Sequence, residues 1–321
     1  MIKYDPHSIS IPETCANMRV DQALARCLPQ YSRMQIKAWI KTGSLTINHH
    51  NLKPNLKVKG GEIVTLKVVE QKTDTWEAEA IPLDIIYEDD DILVINKNAG
   101  LIAHPGAGHQ RGTLLNALLH HAKELHHLPR AGIIHRLDKE TTGLLVIGKT
   151  PIAIQSLTNQ LKKRTLLREY QALVYGILIS GGKINAPIGR HSKIRTQMAV
   201  NALGKPAITH YRIIEKYRNI TRLRLRLETG RTHQIRVHMQ HCHHPLVGDL
   251  PYGGRIRGTK GMLLPLIDYL RQFKRQALHA EKLGLHHPVT GKWIEWKAPL
   301  PDDLNQLITL LKADLQEMRG A

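Results

Sequence analysis

The segment best equipped for chemistry is His135-Arg136-Leu137-Asp138. It sets one carboxylate and one guanidinium between the apolar pair Ile133-Ile134 and the run Leu144 to Ile147. A single ionised carboxylate can act as a nucleophile or as a general base, and a nearby arginine holds it ionised. Glycoside hydrolysis needs a second carboxylate across the bond. The nearest one, Glu140, lies among polar residues and is no match for Asp138 in setting. Apolar flanks and a strongly basic chain also separate Asp138 from an ordinary surface aspartate.

Three other motifs invite chemistry and fail on physical grounds. Gly143 to Thr150 (GLLVIGKT) fits the phosphate-loop pattern G-x-x-x-x-G-K-[ST]. Such a loop curls its backbone N–H groups around an anion, so its middle is small and glycine-rich. Leu144-Leu145-Val146-Ile147 is instead a run of strand formers, and Thr150-Pro151 reads as the N-cap and first residue of a helix. In HPGAGHQRG the third glycine misses the G-x-G-x-x-G spacing, leaving a turn. THQIRVHMQHCHH gathers His233, His238, His241, Cys242, His243 and His244, but helical spacing aims them in several directions and no C-x-x-C or H-E-x-x-H accompanies them. No metal and no nucleotide cofactor is expected.

The elements that must position Asp138 follow from periodicity. DILVIN is a buried strand, Thr113 caps LLNALLHH as a helix, and REYQALVYG and TRLRLRLE are strands. In the last, Leu223, Leu225 and Leu227 face one way while Arg222, Arg224 and Arg226 face the other. PDDLNQLITLLKADLQEM places Leu304, Ile308, Leu311 and Leu315 on one helix face. Residues 81–321 are expected to form one α+β domain on a mixed, mainly antiparallel sheet.

A smaller unit precedes it. Val20, Leu24 and Leu28 form one apolar helical stripe that Pro29 stops; Ser32 is the expected cap of a second helix carrying Ile36, Trp39 and Ile40, with Gly43 past its end. SLTIN and EIVTLKV alternate as strands. Arg19, Arg33, Lys37, Lys41, Lys53, Lys57 and Lys59 decorate the polar faces. The expected organisation is an N-terminal extension (1–17), a small α/β RNA-binding module (18–70), a polar linker (71–80) and the large domain (81–321).

Charge agrees with that module. Forty-six Lys and Arg against 27 Asp and Glu leave a net charge of +19, which favours a polyanionic partner through counterion release. Fourteen aromatic residues (4 Trp, 9 Tyr, 1 Phe) are too few for the extensive stacking of single-strand binders. Three scattered cysteines read as reduced thiols. The N-terminus lacks an apolar signal-peptide core and no stretch is apolar enough to span a membrane, so a cytoplasmic protein is expected.

Residues 18–70 resemble the small RNA-binding domain of ribosomal protein S-four through Arg19-Val20-Asp21, Ser32-Arg33, Gly43 and Ile47-Asn48. His49-His50 stand where that domain commonly has a turn glycine. HRLDKETTGLLV, REYQALVYG and LETGRTHQIRVHM with HPLVGDLPYGG resemble the three sequence blocks of RluA-type pseudouridine synthases, nearly the whole chain being covered. HPGAG…GTLLNALLHH and KRQALHA are similar to its D-type branch, which carries the same N-terminal module.

The resemblance implies the pseudouridine synthase fold and isomerisation of uridine in RNA, breaking the bond from ribose carbon 1′ to nitrogen 1 and rejoining the base through carbon 5. It implies that Asp138 is catalytic, with attack on carbon 1′ and abstraction of the 2′ proton both open. It implies that Arg231 of Gly230-Arg231-Thr232 pairs with Asp138, that Tyr170 stacks on the uracil, and that Arg136 fills the space left by a flipped base, since a stacked base is unreachable. Arg19, Arg33, Lys37 and Lys41 are the expected RNA contacts of the module. The implied partner is 23S ribosomal RNA or a large-subunit precursor, at the hairpin that contacts the small subunit, with a monomer as the expected state. The C-type branch with other large-subunit uridines, or a non-catalytic ribosome-assembly factor on the same fold, are the alternatives.

Overall fold

The computed structural model describes residues 7–28, 33–47, 50–53, 55–66, 76–105, 111–256, 258 and 260–320. The expected cap Ser32, the helix stop Pro29, the turn at Asn48-His49, residues 71–75 of the expected linker and Gly106–Gln110 of HPGAGHQRG lie outside them. The chain forms two compact units, Met1–Thr75 and Trp76–Ala321.

In the first unit, α1 (Val20–Cys27) and α2 (Arg33–Lys41) accompany an antiparallel sheet ordered β1 (His7–Ser10), β4 (Ile63–Leu66), β2 (Leu45–Ile47), β3 (His50–Asn51). Val20, Leu24, Ile36, Trp39 and Ile40 make the core, as their spacing predicts. Gly43 takes a left-handed φ of +70° just past α2, where a side chain would be strained. The expected N-terminal extension needs correction: β1 pairs along β4, and Ile11 and Cys15 are buried in the same core. HSISI alternates too briefly to identify itself as a strand when its partner lies over fifty residues away.

The second unit is built on β5 (Ile85–Glu88), β6 (Ile92–Lys97), β7 (Thr142–Gly148), β8 (Leu167–Tyr175), β9 (Gly182–Asn185), β12 (Ile208–Lys216), β13 (Ile220–Leu227), β14 (Leu278–His286) and β15 (Trp293–Lys297); β10 (Ile188–Arg190) and β11 (Met198–Val200) form a separate hairpin. The main sheet runs β5-β6-β7-β14-β8-β13-β12-β9, with β15 pairing the second half of β14. Among the described residues its only parallel pair is β7–β14; every other pair is antiparallel. This is the expected mixed, mainly antiparallel sheet. The helices are α3 (Leu114–His121), α4 (Pro151–Lys163), α5 (Gln234–His241), α6 (Leu264–Gln272) and α7 (Asp302–Gly320). The expected linker ends early. Trp76 packs on the large core and the Glu79 N–H donates to the Asn116 carbonyl, so residues 76–80 belong to the second unit.

The segment resembling a phosphate loop is β7 followed by α4. Every residue of β7 is buried, and removing four such aliphatic side chains from water favours folding by about 1.5–3 kcal/mol each. The Thr150 hydroxyl caps α4 by accepting from the Ala153 N–H at 3.1 Å. Lys149 donates to Glu88 and to the Asp89 carbonyl, and Thr150 donates to Asp91. The cation and hydroxyl that would hold a nucleotide are therefore spent on the protein's own carboxylates. β13 shows the predicted alternation, with Leu223, Leu225 and Leu227 buried and Arg224 and Arg226 exposed.

Candidate active site

Asp138 opens the tight turn that leads into β7: the Thr141 N–H donates to its carbonyl at 3.0 Å. Several groups fix this turn from below. The Lys97 ammonium, on the buried end of β6, donates to the carbonyls of Asn98, Leu101 and Lys139 at 2.7–2.9 Å. The Gly100 N–H reaches the Lys139 carbonyl, Arg275 reaches the Glu140 carbonyl, and Gln276 donates to the Thr141 hydroxyl. Burial lowers the Lys97 pKa to about 8, against the pull of Glu140 and Asp138. Upstream, the Val146 N–H donates to His135 Nε2 at 3.2 Å. An accepting nitrogen belongs to a neutral ring, in keeping with the His135 pKa of about 3 that burial and the Arg168 charge impose.

The charge beside Asp138 comes from α5. Arg236 Nη1 donates to Asp138 Oδ2 at 3.1 Å, and the same guanidinium grips Asp249 through Nε (2.7 Å) and Nη2 (2.8 Å). Arg236 is therefore the ionic partner of Asp138, and the expected pairing with Arg231 is corrected. Arg231 instead donates through Nε to the Pro206 carbonyl at 3.1 Å and lines the cavity that contains Asp138. The physical reason lies in the turn before α5. Gln234 is buried and accepts from the Arg231 N–H and the Thr229 hydroxyl, while its amide donates to the Ile208 carbonyl and Thr209. That locks the turn onto β12, so that Arg231 extends toward Pro206 while Arg236, five residues on, enters the buried side.

Burial opposes a charge on Arg236, but the bonds and charges of Asp249 and Asp138 outweigh it and hold its pKa above the ordinary arginine value. The Tyr252 ring lies 4.8 Å beneath the guanidinium carbon, a cation–π contact. The Tyr252 hydroxyl is hydrogen-bonded to His233 Nδ1 at 2.7 Å and accepts from the Met198 N–H at 2.8 Å. His233 Nε2 lies 3.9 Å from Asp138 Oδ1. Burial keeps this imidazole below its ordinary pKa, and the Asp138 carboxylate only partly offsets that.

Asp138, His233 and Arg236 line a cavity of about 910 Å³ that Arg136, Tyr170 and Arg231 also line. Tyr170 is a core residue and a cavity residue at once. It belongs to the same buried cluster as Leu225 and Leu278, and only 5 % of its surface is exposed. Burial raises its pKa, the Arg168 charge opposing this and the Asp138 charge adding to it, so the phenol stays protonated at neutral pH. Arg136 is exposed beside Asp138. The volume suits one extruded nucleotide, within the range of small-ligand sites.

Three of the clustered histidines, His233, His238 and His244, bond different parts of the protein. His238 bonds Thr209 and the Ala186 carbonyl, and His244 bonds the Tyr175 carbonyl. Among the described residues the one set that could hold an ion is Asp89, Asp91 and His287, but Asp89 already accepts from two backbone N–H groups and from Tyr87, and His287 bonds it as well. In the first unit, Arg19, Arg33 and Lys37 converge on the buried Asp21 at 2.9–3.4 Å. Burial would raise the Asp21 pKa, but Arg33 above all, with Arg19 and Lys37, holds it below the usual carboxylate range. Lys41 is exposed at the end of α2.

Residues 91–241 match the RNA pseudouridylate synthase family, and residues 18–64 match the S4 domain. The ribosomal large subunit pseudouridine synthase D of Yersinia pestis is 54% identical over 313 residues, 97% of this chain and 96% of that one. The chain belongs to the RNA pseudouridylate synthase family. The protein of the same name from Haemophilus influenzae is 54% identical to this synthase over 93% of each chain. Human RNA pseudouridylate synthase domain containing 1 is similar in structure, with a TM-score of 0.52 and 26% identity over 74% of this synthase and 97% of that chain. Human RNA pseudouridylate synthase domain containing 4 shares the fold, with a TM-score of 0.56 and 24% identity over 71% and 92%.

Reading the synthase by sequence missed Arg236, Asp249, Tyr252 and the role of Asp21. A signal for the first two was present. QIRVHM places an arginine inside a buried helical run, and a buried cation requires a carboxylate from elsewhere; VGD supplies it.

Proposed function

We propose that this synthase converts uridine to pseudouridine in the RNA of the large ribosomal subunit. The observation that carries the proposal is the pairing of Asp138 with Arg236 at the floor of a nucleotide-sized cavity shared with Tyr170. The breadth of likeness to ribosomal large subunit pseudouridine synthase D supports the same substrate class. Arg236 donates to Oδ2 of Asp138 and so orients the carboxyl group, leaving Oδ1 for the ribose. That oxygen either attacks carbon 1′ or takes the 2′ proton. Tyr170 offers its ring as the stacking face for uracil, and Arg136 occupies the gap that the flipped base leaves. Arg231 takes a new role as a phosphate contact at the cavity rim, since its guanidinium has no carboxylate partner among the described residues. Arg19, Arg33, Lys37 and Lys41 contact RNA from the first unit. The isomerisation is redox-neutral and needs no cofactor; the enzyme works as a cytoplasmic monomer on 23S ribosomal RNA, at the hairpin that faces the small subunit.

The test is to map pseudouridines in large-subunit RNA from a strain lacking the gene, restored with wild type or with Asp138→Asn. Wild type is expected to restore specific sites and Asp138→Asn none, although the variant still binds the RNA. Restoration by both, or by neither, refutes the reading. Restoration at uridines outside that hairpin refutes the site assignment and favours the C-type alternative.

A further inference from the structure

Arg168 is a buried cation outside the ion-pair network that holds Asp138. It lies on β8 two residues before Tyr170, so both side chains leave the same face of the strand, and both line the cavity of Asp138. Only 6 % of Arg168 is exposed, and its Nε is buried with no hydrogen-bond partner among the described residues. No carboxylate comes within ion-pair distance of it among the described residues, whereas Arg236, which lines the same cavity, holds two. Gly230 makes room for it: a Cβ there would come within 2.8 Å of Arg168 Nη1.

An unpaired buried guanidinium is costly to maintain. Burial, opposed only by Tyr170, pulls its pKa below the ordinary value. Such a group is satisfied by negative charge that arrives in the cavity. Phosphates of a bound strand remain outside with the ribose backbone, near the exposed Arg136 and the half-buried Arg231. What enters the floor beside Tyr170 is the base, and the reaction gives that base a charge. When the C1′–N1 bond breaks, its electron pair leaves with the base as uracilate, whose charge spreads over N1, O2 and O4. Carbon 1′ meanwhile gains a bond to Asp138, or carbon 2′ gives its proton to Asp138 and a C1′=C2′ double bond forms. In the return step C5 bonds to C1′, Asp138 departs or gives the proton back to carbon 2′, C5 loses its hydrogen, and N1 gains a proton. Both routes pass through the same detached anion.

We infer that Arg168 is a catalytic residue that donates hydrogen bonds and positive charge to the departing uracilate. A donor placed where charge develops, in a site shielded from water, is typically worth 10²–10³ in rate. The inference rests on the activity proposed above.

The test measures single-turnover consumption of the target nucleoside in two synthetic RNAs, one carrying uridine and one 5-fluorouridine, by nuclease digestion and chromatography. Fluorine at C5 itself stabilises the uracil anion, so the fluorinated base depends less on the protein's charge. Arg168→Met is expected to lose at least about 100-fold on uridine and several-fold less on 5-fluorouridine, with RNA affinity unchanged; Arg168→Lys recovers part of the loss. Gly230→Ala, which pushes the guanidinium aside without removing it, is expected to repeat the substrate-dependent pattern if Arg168→Met does not fold. Equal losses on both RNAs, or a wild-type rate for Arg168→Met, overturn the inference. Failure of wild type to consume either nucleoside refutes the activity itself.

Discussion

Arg236 holds two carboxylates, and the consequences of removing it separate structure from catalysis. In Arg236→Met the fully buried Asp249 loses its charged partner. Breaking a buried pair by deleting one member costs about 3–5 kcal/mol. For a domain this size, each kcal/mol lowers Tm by roughly 2–4 °C, so a fall of about 6–20 °C is expected in thermal unfolding followed by circular dichroism. Asp138 also loses its charge-assisted bond, worth about 1.5–3 kcal/mol, which corresponds to roughly a 10- to 150-fold lower rate. The double variant Arg236→Met/Asp249→Leu replaces the pair with apolar groups and is expected to recover most of the lost stability. It does not return a cation to Asp138, so its activity stays low. The rate is read by tritium release from RNA labelled at C5 of uridine, because that hydrogen leaves as C5 bonds to the ribose. The reasoning fails if the double variant regains both stability and activity, or if Arg231→Met abolishes activity while Arg236→Met leaves it intact.

Lys97→Met leaves the Asn98 and Leu101 carbonyls without that donor, at about 1–3 kcal/mol for each unsatisfied group, while the Lys139 carbonyl keeps the Gly100 N–H; thermal unfolding is expected to show the loss, and activity to fall with it. In the first unit, Asp21 has a folded pKa below its unfolded value near about 3.9, so its contribution is present above that pH and lost as pH falls through the lower folded value. The stability gap between wild type and Asp21→Asn is therefore expected to narrow below about pH 4; a gap that widens there refutes the cluster's sign. Lys41→Ala, at an exposed cation, is expected to reduce the salt slope of RNA binding by about 1 without altering Tm, and an unchanged slope removes Lys41 from the interface. Substituting Lys149 and Thr150 with alanine is expected to weaken the β7–α4 junction and to leave RNA turnover unchanged once folded.

The sequence by itself determined whatever depends on local pattern. Four consecutive strand formers exclude a phosphate loop at Gly143–Thr150, and β7 with its capped helix is the result. Alternating Leu and Arg over 222–227 determined which face of β13 is buried, and Asp138 stood out as a carboxylate among apolar anchors. The tertiary structure alone decided which cation reaches Asp138. Arg231 and Arg236 lie five residues apart on one turn and helix, and nothing local separates them. The difference arises because Gln234 ties that turn to β12 and because Asp249, from a segment beyond the helix, draws Arg236 inward. The same holds for β1, whose four residues become a strand only beside β4, and for Arg168, an ordinary strand arginine in sequence. Ion pairs of this kind depend on where the chain returns in space, and a charge whose partner lies a hundred residues away leaves no period to read.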